Sequence, residues 1–279
     1  MSRDLILQHP QIQQCDLSGL HAMFNTPPHL VNERIMRFAV SESFVLPDAV
    51  LAKLNQQKID YAILPQLNFA DLGLIVSDMD STLITIECID EIAAGVGLKA
   101  QVAEITEQSM RGELDFEQSL RRRVALLKGL REEVLQEVYD HVLQLSAGAE
   151  YLLAECKKHN VKFVLVSGGF TFFTERLKTR LGLDYAYANV LKSEHGVLTG
   201  ELEGRIIDAQ AKADLLQQHR EELGLRPEQV LAMGDGANDI PMLQAAGWGV
   251  AYHAKPKARQ FADMCIQHNG LEAVRGYFL

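Results

Sequence analysis

Short apolar runs alternate with longer amphipathic segments over residues 72–268. This alternation is typical of a parallel sheet with helices packed on its faces, because each helix carries the chain back to the start of the next strand. The predicted strands are LGLIVSD (72–78), KFVLVSGG (162–169), QVLAMGDG (229–236), WGVAYH (248–253) and MCIQH (264–268). The sequence therefore predicts an α/β fold built on a doubly wound parallel sheet.

The segments between these strands have helical periodicity. They read AEYLLAECKKH, TFFTERLKTRLG, DAQAKADLLQQHREELG and DIPMLQAAG. KSEHGVLTGELEG (192–204) differs from them, because its glycines separate short β-type runs. That pattern predicts a hairpin at this point of the core.

One connection is too long to be a simple crossover. Between Ser81 and about Leu145 the patterns are helical throughout: ECIDEIAAGVG, VAEITEQSM, FEQSLRRRVALLKG and EEVLQEVYDHVL. A helical insert directly after the first strand would lie over the strand ends, as a lid does. We therefore expect a helical cap at about 84–145.

The first 70 residues have a different pattern. RFAVSESFVL, PDAVLAKLNQQ and KIDYAIL predict a strand, a helix and a strand, and a Pro-Pro pair at 27–28 breaks the segment before them. A chain of 279 residues is long enough for one sizeable core and a smaller domain. The sequence predicts a small N-terminal α/β domain at 1–70, with no visible catalytic motif, and a core at 71–279.

The net charge of the chain is -10. Binding to nucleic acid or to an anionic membrane surface needs a basic surplus, so this charge argues against both. No apolar stretch approaches the roughly 20 residues of a membrane span, and the start, MSRDLILQHPQIQQ, lacks the pattern of a secretion signal. The four cysteines have no paired spacing, which is typical of reduced cysteines in the cytosol. We expect a cytoplasmic protein without nucleic-acid or membrane partners.

Three predicted strands end in chemically useful residues: Asp78, Ser167 and Asp235. Ligands of open α/β sheets bind beyond the carboxyl ends of the strands, where residues distant in sequence can meet. The sequence therefore predicts one active site at this edge.

Asp78 and Asp80 are only two residues apart, so their carboxylates repel each other unless a cation lies between them. With Asp235 they make the oxygen-rich pocket that magnesium prefers. The alternative is that Asp80 caps a helix or turns the chain, as aspartate often does in loops.

SGGF (167–170) lies at the end of a predicted strand, before a helix, and GDGANDIPM (234–242) leads from a strand end straight into a helix. Their glycines let the backbone approach an ion or a phosphate, and helix N-termini favour anions. Both segments also suit ordinary turns, and Asp239 suits a helix cap as well as a position beside a metal. Lys212, in DAQAKADLL, lies on a predicted amphipathic helix, where a lysine is usually solvated, so its sequence context alone indicates no function.

DMDST, SGGF, a lysine in the third element and GDGANDIPM, in this order, resemble the haloacid dehalogenase superfamily of aspartate-nucleophile phosphohydrolases. Within it, the chain is most similar to the phosphoserine phosphatases. The resemblance runs from about residue 72 to beyond AYHAKPK and includes the predicted cap, but it does not cover the N-terminal segment. It implies magnesium-dependent hydrolysis of O-phospho-L-serine, the last step of serine biosynthesis.

The resemblance also implies roles for the motif residues. Asp78 is the nucleophile that forms an aspartyl-phosphate, and Asp80 donates and then accepts the proton. The transport ATPases that share this pattern carry threonine at the position of Asp80, two residues after the nucleophile. Aspartate at this position therefore favours hydrolysis. The remaining roles are magnesium binding by Asp78, the Asp80 carbonyl and Asp235, phosphoryl binding by Ser167, the backbone near Gly168 and Lys212, and supporting contacts by Asn238 and Asp239.

The segment LRRRVALL carries three consecutive arginines. At about 100° per residue, its apolar side chains share one helical face: Leu120, Val124 and Leu127. Arg123 flanks that face, Arg121 lies further round, and Arg122 points nearly opposite. We therefore expect Arg123 to line the buried side, near a ligand.

By resemblance, Arg123 binds the substrate carboxylate, Glu87 binds its ammonium group, and Met110 and Phe116 cover the substrate. Ordinary packing within the cap is an equal alternative for Met110 and Phe116.

Other functions stay open at this point. The enzyme can transfer the phosphoryl group of phosphoserine to another alcohol, such as homoserine, or act on another small phosphate monoester. An alternative from a different functional class is a non-catalytic regulator that binds an amino acid. A further suggestion, that residues 1–70 bind an effector such as serine, rests on analogy alone. The expected partner is a small-molecule substrate, and a homodimer is one option for the assembly.

Overall fold

The computed structural model describes residues 3–24 and 26–279, and the side chains in those ranges except that of Met110. The first of its two sheets contains β1 (Arg3–Gln8), β2 (His29–Asn32), β3 (Ile35–Val40) and β4 (Asp60–Pro65). These strands are antiparallel in the order β2-β3-β1-β4. The helices of this part are α1 (Ser18–His21) and α2 (Asp48–Gln56).

The central strand β1 is buried on both faces. Leu5 and Leu7 pack into one core cluster with Leu54 of α2, whereas Ile6 points to the opposite face and joins the main core. Successive side chains of a strand point to opposite faces, so β1 connects the two cores.

The predicted strand, helix and strand of this segment correspond to β3, α2 and β4. The sequence analysis missed β1 and β2. With both faces of β1 buried, its apolar residues do not alternate with polar ones, and the run is only three residues long. The domain boundary at residue 70 stays a prediction.

The second sheet contains seven strands: β5 (Leu74–Ser77), β6 (Lys162–Phe170), β7 (Tyr185–Glu194), β8 (Val197–Glu203), β9 (Val230–Gly234), β10 (Trp248–Tyr252) and β11 (Met264–Ile266). Their order is β11-β10-β9-β5-β6-β7-β8, and only the β7–β8 pair is antiparallel. The prediction of a mainly parallel sheet is confirmed. The hairpin is β7–β8, but β7 begins at Tyr185, earlier than predicted, because its first half pairs with β6.

Six helices accompany this sheet: α7 (Ala149–Lys158), α8 (Thr171–Leu181), α9 (Ala209–Glu222), α10 (Ile240–Ala245), α11 (Pro256–Arg259) and α12 (Glu272–Gly276). The first four are the predicted helices. Among the described residues, no helix has both the length and the apolar character needed to cross a membrane.

Between β5 and α7 the chain forms four helices: α3 (Cys88–Gly95), α4 (Lys99–Met110), α5 (Phe116–Ala125) and α6 (Glu133–His141). The predicted helical insert is thereby confirmed, while its exact bounds stay a prediction. It is tied to β8 by two backbone hydrogen bonds, from Gly129 N to Leu198 O (2.9 Å) and from Leu198 N to Leu130 O (2.8 Å). This insert is called the cap below.

The first sheet is fixed to the C-terminal segment by buried polar contacts. The carboxylate of Asp60 accepts backbone N–H bonds from Gln267, His268 and Asn269 at 2.8, 3.1 and 2.9 Å. Hydrogen bonds to a charged group are stronger than neutral ones. Asp60 therefore holds β4 against the loop that follows β11.

Candidate active site

The site begins where β5 ends. The strand is completely buried, and the backbone N–H of Asp78 donates to the carbonyl of Met233 on β9 at 2.9 Å. The chain then turns sharply, because Ser81 adopts a left-handed conformation with φ 54°. Both Asp78 and Asp80 line the same cavity as a result.

Lys212 of α9 lies beneath Asp78. Its Nζ donates to Oδ1 of Asp78 and to Oδ1 of Asp239, each at 2.7 Å, and all three side chains are buried. Burial alone would lower the pKa of Lys212, but the charges of Asp239 and Asp78 outweigh it and raise the pKa. Burial and the charge of Asp239 raise the pKa of Asp78, against the pull of Lys212. Because the lysine is charged and contacts an oxygen of each carboxylate, we take Asp78 as ionised in this pair.

The second carboxylate oxygen of Asp239 also accepts hydrogen bonds. Its Oδ2 accepts the backbone N–H groups of Asp235 and Gly236 at 3.1 and 3.0 Å. Gly234 is needed here, since a Cβ at that position would overlap the Asp239 carboxyl group. Asp239 thus shapes the loop after β9 and orients Lys212.

Carboxylate oxygens of Asp78, Asp235 and Asp239 lie within 4.8 Å of one another. Burial, and then the charge of Asp239, raise the pKa of Asp235 to about 6. Crowded, partly desolvated carboxylates of this kind are compensated by a hard divalent cation. The cluster therefore fits a divalent metal, with Asp239 least available because its oxygens already accept hydrogen bonds.

Asp80 faces residues 167–170, the irregular carboxyl end of β6, where the register with β7 shifts; this segment is called the SGGF loop below. Its Oδ1 accepts the backbone N–H of Cys88 at 2.9 Å, and its Oδ2 accepts the hydroxyl of Ser167 at 3.2 Å. Burial raises the pKa of Asp80, although these hydrogen bonds oppose the shift. An upward shift is the direction that a proton donor needs at neutral pH.

The SGGF loop is held in place by a residue that the sequence analysis missed. Asn189 of β7 is buried; its amide donates to the carbonyl of Gly168 and its oxygen accepts the N–H of Ile207, each at 2.8 Å. Within the loop, the N–H of Gly169 donates to Ser167 Oγ at 2.8 Å. Only the early start of β7, itself missed, brings Asn189 to this loop.

The active cavity lies between the strand ends and the cap, with a volume of about 440 Å³. The predicted site residues that line it are Asp78, Asp80, Glu87, Phe116, Arg123, Gly168, Asp235 and Asn238. Ser167, Lys212 and Asp239 are buried beside or beneath it. The side chain of Met110 lies outside the described residues. Phe116 approaches Gly168 so closely that a Cβ there would be 3.0 Å from its ring.

Arg123 is the arginine of the three that lines the cavity. Arg121 is exposed and pairs with Glu117 at 2.7 Å, and Arg122 is exposed beside Gln108. Burial lowers the pKa of Arg123, and the nearby charges of Asp90 and Glu87 offset only part of that shift. A guanidinium group facing carboxylates across a cavity can bind a ligand carboxylate.

Glu87 lines the cavity directly before α3 and accepts a hydrogen bond from the Ser81 hydroxyl at 2.7 Å. Its side chain stays accessible to the cavity, but the surrounding protein atoms displace much of its water. This desolvation, with the charge of Asp80, raises its pKa to about 7.

Lys255 and Asp90 also line the cavity and were not assigned by the sequence analysis. Lys255 follows β10, which is parallel to β9, so its carboxyl end points to the same sheet edge. The strand-end argument used for Asp78 and Asp235 would have found it. Asp90, one turn along α3 from Glu87, carried no comparable signal.

Known proteins and solved structures resemble this chain over most of its length. The model of the haloacid dehalogenase-like hydrolase family matches residues 75–244. A phosphoserine phosphatase of Polaromonas sp. is 51% identical over 213 residues, which are 75% of this chain and 90% of that protein. The structure of a haloacid dehalogenase family hydrolase from Salmonella enterica serovar Typhi has a TM-score of 0.89 and 34% identity, covering 100% of this chain and 99% of that one. A phosphoserine phosphatase solved as a phospho-aspartyl intermediate analogue has a TM-score of 0.70 and 41% identity, covering 75% of this chain and 99% of that one.

The chain belongs to the haloacid dehalogenase-like hydrolase family. It is an enzyme, and among the members of that family it is similar over most of its length to phosphoserine phosphatases. The resemblance predicted from the motifs is confirmed.

Proposed function

We propose that this protein hydrolyses O-phospho-L-serine to L-serine and phosphate through an aspartyl-phosphate, with magnesium as its metal, as the last step of serine biosynthesis. One observation carries the proposal: the Asp78–Asp80 pair shares a cavity of about 440 Å³ with Arg123 and Glu87. The first pair suits phosphoryl transfer, and the second suits the carboxylate and ammonium groups of an amino acid.

Asp78 starts the reaction. Its Oδ1 is held by Lys212, and the carboxylate also borders the cavity. One of its oxygens attacks phosphorus in line, the P–O bond to the serine oxygen breaks, and an aspartyl-phosphate forms. Lys212 fixes the carboxylate in place, so little reorganisation is needed in the transition state.

Asp80 moves the proton in both steps. In the first, it protonates the departing serine oxygen, which its raised pKa favours. In the second, the resulting carboxylate takes a proton from water, whose oxygen attacks phosphorus and displaces Asp78. Atoms balance over the cycle, and both aspartates return to their starting states.

Positive and hydrogen-bonding groups stabilise the phosphoryl oxygens. The roles proposed here are a hydroxyl contact from Ser167, a backbone N–H contact beside Gly168, a charge from Lys212 and an amide contact from Asn238. Such donors act strongly when they are fixed in advance and shielded from water. The bond from Asn189 to the Gly168 carbonyl supports this role for the loop.

The metal that we propose is magnesium, held by Asp78, the Asp80 carbonyl and Asp235. When bound, it would neutralise charge on the phosphoryl oxygens and offset repulsion among the aspartates. Asp239 stays beside the metal ligands as a positioning residue, since it holds Lys212 and the backbone of Asp235.

The cap selects the amino-acid part of the substrate. We assign Arg123 to the carboxylate and Glu87 to the ammonium group, with Phe116 and Met110 covering the small substrate. A cytoplasmic location and a homodimeric assembly also stay proposals, and light scattering of the purified protein would test the assembly.

Steady-state kinetics over a panel of phosphate monoesters tests the function. We expect phosphoserine to have the highest kcat/KM, activity to be lost with a chelator and restored by magnesium, and Asp78→Asn to lose turnover by roughly 10⁴-fold while remaining folded. Mass spectrometry of acid-quenched enzyme should find the phosphoryl group on the peptide that contains Asp78. A higher kcat/KM for a sugar phosphate would reject the substrate, and phosphorylation elsewhere would reject the mechanism.

A further inference from the structure

The active cavity is lined by more carboxyl groups than cationic groups. Among the described residues that line it, the carboxyl groups are Asp78, Asp80, Glu87, Asp90 and Asp235, and the cations are Arg123 and Lys255. Lys212 is buried below and already shared by two carboxylates. The proposed metal would offset Asp78 and Asp235, and Asp80 is the proposed proton donor, so Glu87 and Asp90 are the carboxyl groups left to oppose the entry of an anionic phosphate monoester.

Lys255 is the less committed of the two lining cations. Its side chain is exposed and makes no ion pair or hydrogen bond with any residue that the structure describes. Arg123, in contrast, donates a hydrogen bond to the carbonyl of Ser119 at 3.4 Å. Lys255 lines the cavity together with Glu87 and Asp235. Burial raises the pKa of Glu87, and the charge of Lys255 opposes that shift. The ammonium group is therefore an available positive charge at the cavity entrance.

The backbone holds this lysine at the entrance. Its N–H donates to the carbonyl of Asp235 at 3.0 Å, and Pro256 follows as the first residue of α11. Two residues earlier, the N–H of His253 donates to Ile266 O at 2.7 Å and its ring Nε2 pairs with Asn269 O at 2.9 Å. The loop after β10 is thus anchored at three points around Lys255.

We propose that Lys255 attracts anionic phosphate monoesters into the active cavity, against the carboxyl groups that line it. The identity of the substrate in this inference rests on the proposed function. The lysine acts on the encounter between substrate and enzyme, through long-range attraction, and not on the transfer of the phosphoryl group. Its effect must therefore appear in kcat/KM and weaken as salt screens the charge.

The test compares Lys255→Met, which removes the charge, with Lys255→Arg, which keeps it. Lys257→Met is the matched control, because Lys257 is exposed two residues further along, within α11, but does not line the cavity. We expect Lys255→Met to lower kcat/KM for phosphoserine roughly tenfold at low ionic strength with kcat within about twofold of wild type. The deficit should shrink toward wild type at high salt, and Lys255→Arg and Lys257→Met should retain wild-type kcat/KM.

A wild-type kcat/KM in Lys255→Met at low salt would overturn the inference, as would an equal loss at every ionic strength or the same loss in Lys257→Met. Thermal melting of each variant checks that it is folded, and Lys255→Gln repeats the charge removal with a polar side chain. The experiment uses the monoester that wild type hydrolyses best. If that is not phosphoserine, the proposed function fails while the salt dependence still tests Lys255.

Discussion

Lys212 Nζ lies 2.7 Å from Oδ1 of Asp78, with both side chains withdrawn from solvent. The same nitrogen lies 2.7 Å from Oδ1 of Asp239. One cation therefore balances two buried carboxylates, and the proposed nucleophile is held in a fixed orientation. This relationship makes Lys212 important for both stability and turnover.

Replacing Lys212 by methionine should test both consequences. Removing one partner of a buried ionic group leaves uncompensated charge, so we expect a loss of about 3–5 kcal/mol in the free energy of unfolding. Loss of a fixed positive charge near the phosphoryl group should also lower kcat by roughly 10²–10³-fold. Urea denaturation and steady-state assays measure the two effects.

Lys158→Met is a suitable comparison for that variant, because Lys158 is largely exposed and its ion pair is with the neighbouring Glu155 of the same helix. Its free energy of unfolding should stay within about 0.5 kcal/mol of wild type. Wild-type stability in Lys212→Met would contradict the charged state assigned to Asp78.

Replacing Asp80 by asparagine removes the group proposed to donate the proton. General acid–base catalysis typically contributes about 10²–10⁴-fold, so kcat for phosphoserine should fall by that factor. With p-nitrophenyl phosphate the leaving group needs no proton, and the initial burst of product should be far less impaired. Stopped-flow measurement of that burst separates the two steps, and an equal loss of burst rate for both substrates would refute the acid role.

The arginines of α5 offer a matched pair. Arg123→Met should lower kcat/KM for phosphoserine by roughly 10- to 100-fold, because a hydrogen-bonded charge on the substrate carboxylate is lost. Phosphoethanolamine has no carboxylate, so its kcat/KM should change little. Arg121→Met serves as the control, since Arg121 is exposed and pairs with Glu117. Equal losses for both substrates would argue against carboxylate recognition by Arg123.

The raised pKa of Glu87 predicts a pH dependence. Its pKa of about 7 leaves it mostly protonated at pH 6 and mostly ionised at pH 8. Only the ionised form attracts the substrate ammonium group, so wild type should exceed Glu87→Gln in kcat/KM by about tenfold at pH 8 and much less at pH 6. Assays of both proteins at matched ionic strength measure this ratio, and a ratio constant from pH 6 to 8 would disprove the assignment.

The raised pKa of Glu87 also predicts how the stability of the folded protein changes with pH. Because the folded protein holds a proton on Glu87 at pH values where the unfolded chain has released it, ionisation costs the folded state. Wild type should therefore lose stability relative to Glu87→Gln as the pH rises from about 4.5 to about 7. Urea unfolding of both proteins at pH 5 and pH 8 measures that difference.

The sequence by itself determined the parallel sheet, the helical insert and the positions of Asp78 and Asp235. Each of these follows from local order: strands of apolar residues, helical periodicity, and polar residues at strand ends. Arg123 could also be chosen among three arginines, because the face of a helix depends only on spacing along the chain.

The tertiary structure alone decided which polar residues are buried together. Lys212 has the sequence context of a solvated lysine, and only the packing of α9 under β5 and β9 brings it to two carboxylates. Asn189 reaches Gly168 only because β7 starts early beside β6. Hydrogen bonds and ion pairs between residues far apart in the chain leave no periodic signal, since their partners are chosen by the geometry of the folded sheet.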